Sequence, residues 1–556
     1  MSRMNSVLHP TRRQFLTRSV TQSVTALAGL SVVPRIVQGM AVHDAVIPNS
    51  SAARRTTPNR WLPDSPPDAQ FRALALLAMD VAKQAGADFA DMRIGVQREC
   101  AARDARIALG YGIRAQVGGT WSFEHGTVLT PDAVAASARA AVAGARTASR
   151  INAQIDWSGH DPFAAVPVVT GEWHVPIEID PFSVPFDDFY RMEHLVREPI
   201  RRLGILVDIV GEIRWTQETR VFASSEGSLV TQTFTRGGPD FRVVAELRSG
   251  NNVSFHFERR DIQSLGFESL LRTDFAERIL SIAEEAIRWR ELPERSFDDV
   301  GRFPVVFDGS AFAAIIGKSL NFALDGDRLS GSEFDASGRS FLQPFAAHPV
   351  QPPPEVSSLL TVTSDRAIPS STAAHWDDDG VVTTPCTLVE KGVVVDFHTT
   401  RETAPVFRPW YEQRSRAPQL HGRSLAPTPA SLPMASGGEV RVSPAASASE
   451  ADLYRDMAHG FLIKGADVTT TSGLSTGLLV PPFIVEIVKG KPAARLGGLR
   501  LAFVTNAVLN RGLIALGDAS TVGTSVVSTS KGMPWQRMTN PVSAPAASCK
   551  EVDIFR

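Results

Sequence analysis

The best local cluster of metal-ligating side chains in this sequence is a short acidic run that ends at a glycine. The segment His375-Trp376-Asp377-Asp378-Asp379 places one imidazole and three carboxylates directly before Gly380. Imidazole and carboxylate groups are common ligands of divalent cations, so the run could contribute to a metal site. A solvated acidic turn explains the same residues more simply, and it is the interpretation that we favour.

The other histidines do not form a ligand pair on one helix. Of the twelve histidines, the two closest in sequence are His160 and His174, which lie fourteen positions apart and cannot share one helical turn. His256 and Glu258 alternate on a predicted strand, so both side chains point to one face. A hydrogen-bonded polar face is the simpler interpretation of that pair. A site assembled from distant segments stays open.

Two segments contain the letters of nucleophilic motifs. The segment Gly473-Leu474-Ser475-Thr476-Gly477 matches Gly-x-Ser-x-Gly, in which the serine sits on a turn between a strand and a helix. Two prolines follow closely and argue against the helix, so turns are the simpler explanation. Ser528, Ser530 and Lys531 are the residue types of a serine–lysine pair, but such close neighbours on a strand point apart.

The charge balance and the cysteine count exclude several classes of function. The sequence contains 57 lysines and arginines and 59 aspartates and glutamates, and the resulting net charge of −2 predicts no nucleic-acid partner. The three cysteines, Cys100, Cys386 and Cys549, are too few and too far apart for a disulfide framework. Beyond the N-terminus no uncharged apolar run approaches the ~20 residues of a membrane span, so we expect no membrane span in the mature chain.

The N-terminal residues have the order of a twin-arginine export signal. Arg12 and Arg13 precede a mildly apolar stretch at 20–33, and small residues follow that could hold a cleavage site. The pattern predicts a signal peptide over 1–45 and a linker over 46–66. Because this route exports folded proteins, we expect a periplasmic or otherwise extracytoplasmic location. A short arm that contains two arginines by chance is the alternative.

Hydrophobic periodicity predicts an α+β fold with helices packed on an antiparallel sheet. Apolar residues at helical spacing predict helices over 68–86, 130–149, 185–203, 274–289 and about 310–324. Alternating patterns predict strands over 89–96, 106–109, 112–117 and 121–123, and further strands between 206 and 257. Gly110-Tyr111-Gly112 is predicted as a turn between two strands. From 303 onward short strands dominate, and the proline-rich residues 405–433 predict an irregular surface loop.

Several of these segments, taken in order, resemble the TldD/PmbA family. Segments similar to the family's N-terminal domain are Leu74 to Gly86, Asp88 to Arg93, Gly112 to Val117 and Trp121 to Phe123. In the later half, further segments occur in the same order as in the family. They are Leu324 to Arg328, Asp377 to Gly380, Leu388 to Gly392, Gly473 and Gly477. The resemblance covers residues 68 to 545. It implies an N-terminal and central α+β region at 67–290 and a β-rich C-terminal domain at 300–550 that contains the 405–433 insertion.

The family resemblance implies the architecture of a zinc peptidase. TldD-type subunits carry His-Glu-x-x-x-His on a helix and a cysteine near the C-terminus as the third protein ligand of the zinc ion. PmbA-type subunits, also named TldE, lack these ligands, and the two types pair into a heterodimer that cleaves unstructured peptides in an internal chamber. Zinc takes imidazole or thiolate ligands, while a neighbouring glutamate handles the protons of the attacking water.

This sequence departs from the family's zinc motif at every position. The His-Glu-x-x-x-His positions fall on Gly317, Lys318 and Phe322, and the cysteine position falls near Ser530. A slip of the register does not restore the motif, because no histidine or cysteine occurs between 311 and 340. We therefore expect no catalytic residue, no metal ligand and no zinc at these four positions, which are called the motif positions below.

The lysine at the glutamate position needs a partner if it is buried. An unpaired buried ammonium group is costly, and the carboxylates of Asp325, Asp327 and Glu333 are close to Lys318 in the sequence. We expect one of them to pair with Lys318. The alternative is a helix that turns Lys318 out of the cavity and leaves it exposed.

Three functions are consistent with these residues. The first is an exported subunit of a TldD/PmbA-type complex that degrades unstructured peptides; it lacks zinc ligands of its own and forms a homo- or heterodimer with a TldD/PmbA-type subunit. The second is an active metallopeptidase with non-standard ligands, and the third is a stand-alone peptide-binding module. We favour the first, because it explains the family architecture, the missing ligands and the export signal together.

Overall fold

The computed structural model describes most of the chain after the predicted linker. The described residues are 68–101, 105–151, 163–203, 207–246, 254–260, 263–272, 274–296, 301–333, 340–342, 356–465, 467–471, 476–481, 483–496, 500–504, 507–533 and 535–555. The predicted signal peptide at 1–45, the linker at 46–66 and Ser475 lie outside these ranges. Within the described ranges, no helix combines the length and the apolar character that crossing a membrane requires.

The helices of the described ranges include all those predicted from periodicity. In chain order they are α1 (Asp68–Gln84), α2 (Pro131–Ile151), α3 (Phe186–Arg202), α4 (Glu268–Arg272), α5 (Phe275–Glu291), α6 (Gly309–Ile316), α7 (Gly326–Ser330), α8 (Arg408–Glu412) and α9 (Glu450–Tyr454). Short 3₁₀ turns cover Pro181–Ser183, Ala404–Phe407 and Ala519–Thr521, and π-helical turns cover Gly317–Asn321 and Ala507–Arg511. The helix predicted near 310–324 is α6 together with the first of these π-helical turns.

The strands form one sheet in the first half of the chain and further sheets in the second half. They are β1 (Phe89–Ala101), β2 (Ala105–Val117), β3 (Thr120–Gly126), β4 (Thr170–His174), β5 (Val207–Ser224), β6 (Leu229–Glu246), β7 (Ser254–Arg260), β8 (Glu294–Arg295), β9 (Gly301–Phe307), β10 (Val362–Asp365), β11 (Cys386–Glu390), β12 (Val393–Val394), β13 (Ser424–Leu425), β14 (Met434–Ala435), β15 (Glu439–Val442), β16 (His459–Lys464), β17 (Asp467–Thr471), β18 (Thr476–Val480), β19 (Phe483–Val488), β20 (Lys491–Leu496), β21 (Arg500–Val504), β22 (Leu513–Leu516), β23 (Gly523–Lys531), β24 (Gln536–Ala544) and β25 (Ala547–Phe555).

Pairing of the described strands defines the sheets. The first sheet has the order β3-β2-β1-β5-β6-β4, with β7 also paired to β6. In the second half, a ten-stranded sheet has the order β17-β18-β21-β25-β9-β16-β19-β20-β8, with β22 also paired to β25. A six-stranded sheet has the order β12-β11-β10-β15-β24-β23, and β13 pairs with β14. The predicted α+β fold class is therefore confirmed.

Two helices pack on one face of the first sheet. The apolar stripe of α1, which includes Phe71, Leu74 and Ala78, packs with α2 against inward-facing residues of β1 and β2. Met92 and Ile94 of β1 belong to the same core. This is the layer of helices on antiparallel sheet that the sequence predicted.

The predicted turn at Gly110-Tyr111-Gly112 is wrong, because these residues lie inside the continuous strand β2. Gly110 pairs with Gly95 of β1. A Cβ atom on Gly112 would stand 2.8 Å from the ring of Phe123 and 2.9 Å from the backbone oxygen of Pro429. Glycine is therefore needed at this position for the close approach of neighbouring groups, not for a turn.

A short apolar helix lies between strands of two sheets in the second half of the chain. Helix α6 contacts β23 and β24 of the six-stranded sheet and β9, β16 and β17 of the ten-stranded sheet. The residues from Ala311 to Ile316 are all apolar and all buried, as expected for a helix enclosed on every side. Asp308 caps its N-terminus by accepting a hydrogen bond from the N–H group of Ala311 at 2.8 Å.

The proline-rich segment 405–433 is only in part the irregular surface loop that its composition predicts: residues 413–420 have neither helix nor strand and none of them is buried, but the rest differs. It contains α8 and strand β13, which pairs with β14. Trp410, Tyr411 and Arg423 are each at most 2% exposed. The ring centroid of Trp410 lies 4.7 Å from that of Phe397. These large side chains are buried in the protein, and the proline content of the segment does not predict that burial.

A buried network of arginines and aspartates joins the first sheet to the second half of the chain. Asp377, Asp378 and Asp379 are no more than 5% exposed, so the solvated acidic turn that we favoured is wrong. Asp378 accepts a hydrogen bond from Arg220 of β5 at 2.6 Å, and Asp379 accepts one from Arg114 of β2 at 2.6 Å. Burial opposes the ionisation of Asp378, but nearby arginine cations outweigh it and hold its pKa below the usual value.

The acidic turn keeps its shape through its own backbone. Asp377 accepts hydrogen bonds from three backbone N–H groups at 2.9 to 3.0 Å. Gly380 has a φ of 79°, and a Cβ atom there would stand 2.8 Å from the ring of Phe222, so only glycine fits. His375 is exposed, whereas the three aspartates are buried and two of them pair with arginines. The turn is therefore part of an ion-pair network and not the metal cluster considered from the sequence.

Asp378→Asn tests how strongly this network holds the fold. The substitution keeps the size of the side chain but leaves the buried guanidinium of Arg220 with one carboxylate partner instead of two. Breaking a buried ion pair typically costs about 3–5 kcal/mol. We therefore expect a clear fall in the free energy of unfolding, measured by urea denaturation.

Glu178→Gln is the matched control for this prediction. Glu178 also pairs with an arginine, Arg272, but both side chains are more than 60% exposed. Exposed pairs contribute little to stability, so we expect no measurable change in the urea midpoint. Equal effects of the two substitutions would contradict the structural role of the buried network.

Candidate functional site

The first and last helical motif positions are used for apolar packing. Gly317 begins the π-helical turn that follows α6. A Cβ atom on Gly317 would stand 2.7 Å from both methyl groups of Val527 and 3.0 Å from a methyl group of Val542. Phe322 is 1% exposed and belongs to the same apolar core. The space that a side chain at 317 would need is therefore already filled.

Lys318 contacts a strand of the six-stranded sheet. Its ammonium group donates a hydrogen bond to the backbone oxygen of Ser528 on β23, and the side chain is half-buried. Glu333 accepts a hydrogen bond from the N–H group of Gly532 at 3.1 Å. The two predicted aspartate partners bind Lys531 instead. A pairing of Lys318 with one of these carboxylates stays a prediction.

A fully buried lysine at the end of β23 gathers those aspartates. Lys531 donates hydrogen bonds to Asp325 at 2.9 Å, to Asp327 at 2.8 Å and to the backbone oxygen of Ala435 at 2.6 Å. An ammonium group has three donors, so this arrangement satisfies it completely. Burial, which outweighs the attraction of Lys531, raises the pKa of Asp325 to about 7.

Strand β23 presents its two faces to different surroundings. Val527, Thr529 and Lys531 are buried, whereas Ser528 and Ser530 alternate with them and are half-buried. Ser530, at the position of the family's cysteine, therefore lies on the opposite face from Val527. For the same reason the serines and Lys531 do not form a serine–lysine pair.

The motif positions do not fit a zinc ion. Glycine offers no side chain, an ammonium group repels a dication, and a phenyl ring has no donor atom. The hydroxyl group of Ser530 lies on the face of β23 that points away from Val527. Because valine methyl groups fill the space beside Gly317, the residues present form an apolar joint between helix and strand.

A polar cluster that sequence reasoning missed lies at the end of the π-helical turn. His398 and Asn321 are buried, and His398 Nε2 lies 3.1 Å from Asn321 Oδ1. His398 Nδ1, Asn321 Nδ2 and Asp325 Oδ1 have no hydrogen-bond partner among the described residues. Burial, assisted by nearby cations, lowers the pKa of His398 well below its usual value, so this imidazole is neutral. No local motif marks either residue, since they are far apart in sequence.

Three potential metal ligands from separate segments meet in the described part of the chain. The ligand atoms of Cys386, Asp396 and His421 lie within 4.8 Å of one another. However, Asp396 already accepts hydrogen bonds from Tyr411 at 2.5 Å and from Arg416 at 2.9 Å, and its oxygen lies 3.3 Å from His421 Nε2. Burial raises the pKa of the Cys386 thiol to about 12. Asp396 is thus already occupied by a phenol and a guanidinium group, and the Cys386 thiol keeps its proton.

The remaining sequence candidates add nothing to these clusters. His256 and Glu258 lie on β7, and their side chains are outside the described part of the structure. Cys100 and Cys549 are buried free thiols, like Cys386. Gly477 begins no helix: it lies within β18, as expected from the prolines that follow.

The second half of the chain matches known sequences. Residues 300–553 match the family model described as the PmbA/TldA metallopeptidase C-terminal domain. A protein of Methanothermobacter thermautotrophicus described as a metalloprotease is 28% identical over 188 residues. That match covers 34% of this chain and 38% of the relative, so the chain spans less than half of the relative's length.

Solved structures share the fold over most of the chain. TldE from Thermococcus kodakarensis has a TM-score of 0.62 at 15% identity, covering 88% of this chain and 100% of that one. A proposed modulator of a DNA gyrase from Thermotoga maritima also has a TM-score of 0.62, at 13% identity, covering 87% and 100%. A protein of the same description from Bacteroides thetaiotaomicron has a TM-score of 0.60 at 15% identity, covering 87% and 98%.

These comparisons agree with the ordered segments found in the sequence. The structural neighbours share the mixed α+β architecture with several sheets, and the sequence match places the metallopeptidase-related domain on the half that holds the motif positions. The match over residues 300–553 and the fold shared with the structural neighbours support membership of this chain in the metallopeptidase-related TldD/PmbA family.

Proposed function

We propose that this chain is an exported, non-catalytic subunit of a TldD/PmbA-type complex that degrades peptides. The packing of Gly317 carries the proposal, because Val527 and Val542 occupy the space that the first histidine of the motif would need. A chain that keeps the family fold but fills its metal position with apolar groups depends on a partner for the metal. Export is supported by the order of residues at the N-terminus.

Peptides are the proposed substrate class. The relative in Methanothermobacter thermautotrophicus is described as a metalloprotease, and the family model is named for a metallopeptidase. A subunit without zinc ligands can still shape access to a shared chamber and bind part of an unstructured peptide. The proposed working form is a homo- or heterodimer with a TldD/PmbA-type chain.

An active metallopeptidase with non-standard ligands is the second candidate. The cluster of Cys386, Asp396 and His421 is the observation that favours it. Such a site requires Arg416 to leave Asp396 and the Cys386 thiol to lose its proton when the metal binds. A stand-alone peptide-binding module is the third candidate, which differs from the first only in having no catalytic partner.

Zinc content separates the first candidate from the second. The purified mature chain, dialysed against metal-free buffer, is expected to hold far less than one zinc ion per chain, because the motif positions offer no zinc ligand. Elemental analysis measures this directly. One tightly held zinc ion per chain, lost in Cys386→Ser, would contradict the proposal and favour the active metallopeptidase.

A restored motif is the positive control for the zinc measurement. The restored variant carries Gly317→His, Lys318→Glu, Phe322→His, Val527→Ala to make room, and Thr529→Cys on the buried face of β23. We expect it to bind zinc, measured by competition with a zinc-sensitive dye. A matched variant with Ser530→Cys instead of Thr529→Cys should bind more weakly, since residue 530 lies on the other face. Folded variants that both fail to bind would show that the motif positions are misplaced.

Affinity purification tests the subunit role. The full chain, tagged and purified from the organism that encodes it, is expected to carry along a second TldD/PmbA-type chain with an intact His-Glu-x-x-x-His motif. The complex, and not the isolated chain, should degrade unfolded casein, and a zinc chelator should stop the reaction. A single species of monomer mass without such a partner would favour the stand-alone module.

Substitution of the two arginines tests the export proposal. Arg12→Lys combined with Arg13→Lys is expected to hold the folded protein in the cytoplasm, because the export receptor reads both arginines. Arg18→Lys is the matched control and should leave export unchanged. Cell fractionation and immunoblotting measure the distribution. Export of the double variant at the level of the unaltered chain would show that these arginines are not an export signal.

A further inference from the structure

A cavity of about 290 Å³ lies where the first sheet meets the second half of the chain. It is separate from the motif positions, none of which lines it. Phe234 and Trp376 are its largest apolar walls. Its charged lining consists of four arginines and a single carboxylate: Arg220, Arg236, Arg366, Arg537 and Asp378.

Strand pairing brings two of the arginines to one aromatic ring. Phe234 and Arg236 are two residues apart on β6 and therefore point to the same face. Glu218 of β5 pairs with Phe234 in register, which puts Arg220 on that face as well. The guanidinium carbons of Arg236 and Arg220 lie 4.6 and 5.9 Å from the centroid of the Phe234 ring. The ring is thus in contact with two cations.

The arginines differ in how their charge is balanced. Arg220 donates hydrogen bonds to Glu218 and Asp378, both at 2.6 Å, so two carboxylates neutralise it. Arg366 is 4% exposed and donates to three backbone oxygens at 3.0 to 3.5 Å. Carbonyl oxygens satisfy the hydrogen bonds of Arg366 but bring no negative charge.

Arg236 has the largest deficit of partners. Its Nε atom is buried and has no hydrogen-bond partner within the described ranges of the chain. Burial lowers its pKa to about 10, and the cations of Arg220 and Arg366 act in the same direction, although Glu218 opposes them. The group is still charged at neutral pH. Because a buried guanidinium nitrogen without a partner is costly, and four arginines here share one lining carboxylate, this corner of the molecule is suited to an anionic ligand.

The shape of the cavity favours a carboxylate on a small apolar body. The planar guanidinium group binds carboxylates in a bidentate manner. Phosphate groups also bind arginine, but they are commonly held at helix N-termini, and no lining residue in the described chain begins a helix. The volume lies at the lower end of small-ligand sites, which span ~300 to 1,000 Å³. It therefore fits the last residue of a peptide better than a longer segment.

We propose that this cavity binds the free C-terminal carboxylate of a peptide, with Arg236 and Arg366 as the charged binding groups. Phe234 and Trp376 contact the apolar side chain of the terminal residue. Arg537 is exposed and lies at the rim, where it attracts the carboxylate from solvent. Only the choice of a peptide as the carrier of the carboxylate rests on the function proposed above.

Isothermal titration calorimetry on the mature full chain tests this assignment. The probes are the N-acetylated peptide Ala-Ala-Ala-Ala-Phe with a free C-terminal carboxylate, the same peptide as its C-terminal amide, and inorganic phosphate. We expect the acid to bind at least about tenfold more tightly than the amide, as for a charged hydrogen bond. Arg236→Gln should weaken binding of the acid by about tenfold or more and leave binding of the amide unchanged.

Two further variants make the test independent of folding effects. Arg537→Gln changes an exposed residue and should weaken acid binding several-fold even if Arg236→Gln does not fold. Arg202→Gln is the control, because that side chain is 77% exposed on α3 and should not affect binding. Equal affinities for acid and amide, or unchanged binding in Arg236→Gln and Arg537→Gln, would overturn the proposal. Tighter binding of phosphate than of the acid would also overturn it.

The outcome is distinguishable from that of the proposed function. Binding is measured on the isolated chain and needs neither a partner nor peptide degradation. Acid-specific binding without a catalytic partner would leave this inference standing and remove the subunit role. A complex that degrades peptides, but whose chain binds the acid and the amide equally, would support the subunit role and remove this inference.

Discussion

The buried pairing of Asp378 with Arg220 is the interaction on which the rest of this structure depends. Arg220 lies on a strand of the first sheet, and its charge is acceptable in the interior because two carboxylates pair with it: Glu218 of the same strand and Asp378 of a turn from the second half of the chain. The same turn needs glycine at 380, and it places Trp376 in the cavity wall. Asp378 also accepts a hydrogen bond from the N–H group of Ala426 at 2.7 Å, and Arg220 donates a hydrogen bond to the carbonyl oxygen of Ala426 at 3.0 Å. One ion pair therefore fixes the acidic turn and the end of the proline-rich segment against the first sheet.

Local pattern predicted the elements well and their partners poorly. The long helices follow from the spacing of their apolar residues, which is a property of the segment itself. The acidic turn was assigned to solvent because its partners are 265 and 158 residues away, from Asp379 to Arg114 and from Asp378 to Arg220. Gly112 was assigned to a turn for the same reason, since the groups that require a small residue there come from another strand and from the proline-rich segment. Wherever the deciding contact was distant in sequence, local propensity gave the wrong environment.

The candidate site shows the same division. Residue types alone indicate that Gly317 and Phe322 cannot hold a metal, because ligand chemistry depends on the atoms of the side chain itself. They could not indicate which lysine binds the nearby aspartates. Lys318 is close to Asp325 in sequence, but Lys531 reaches the same carboxylate from 206 positions away and is the buried partner. Proximity along the chain was a poor guide here, because the buried partner of Asp325 comes from a strand near the end of the chain.

The joint between helix α6 and strand β23 is held by apolar packing and ion pairs that need no metal ion. Here valine methyl groups pack on Gly317, and Lys531 binds two aspartates beside the helix. These contacts leave little room for a ligand at the motif positions. The arginine-lined cavity is the opposite case, since four arginines share one lining carboxylate there and the buried Nε atom of Arg236 has no hydrogen-bond partner among the described residues. Packing is complete at Gly317 and charge is unbalanced at the cavity, so binding by this chain is better sought at the cavity than at the motif positions.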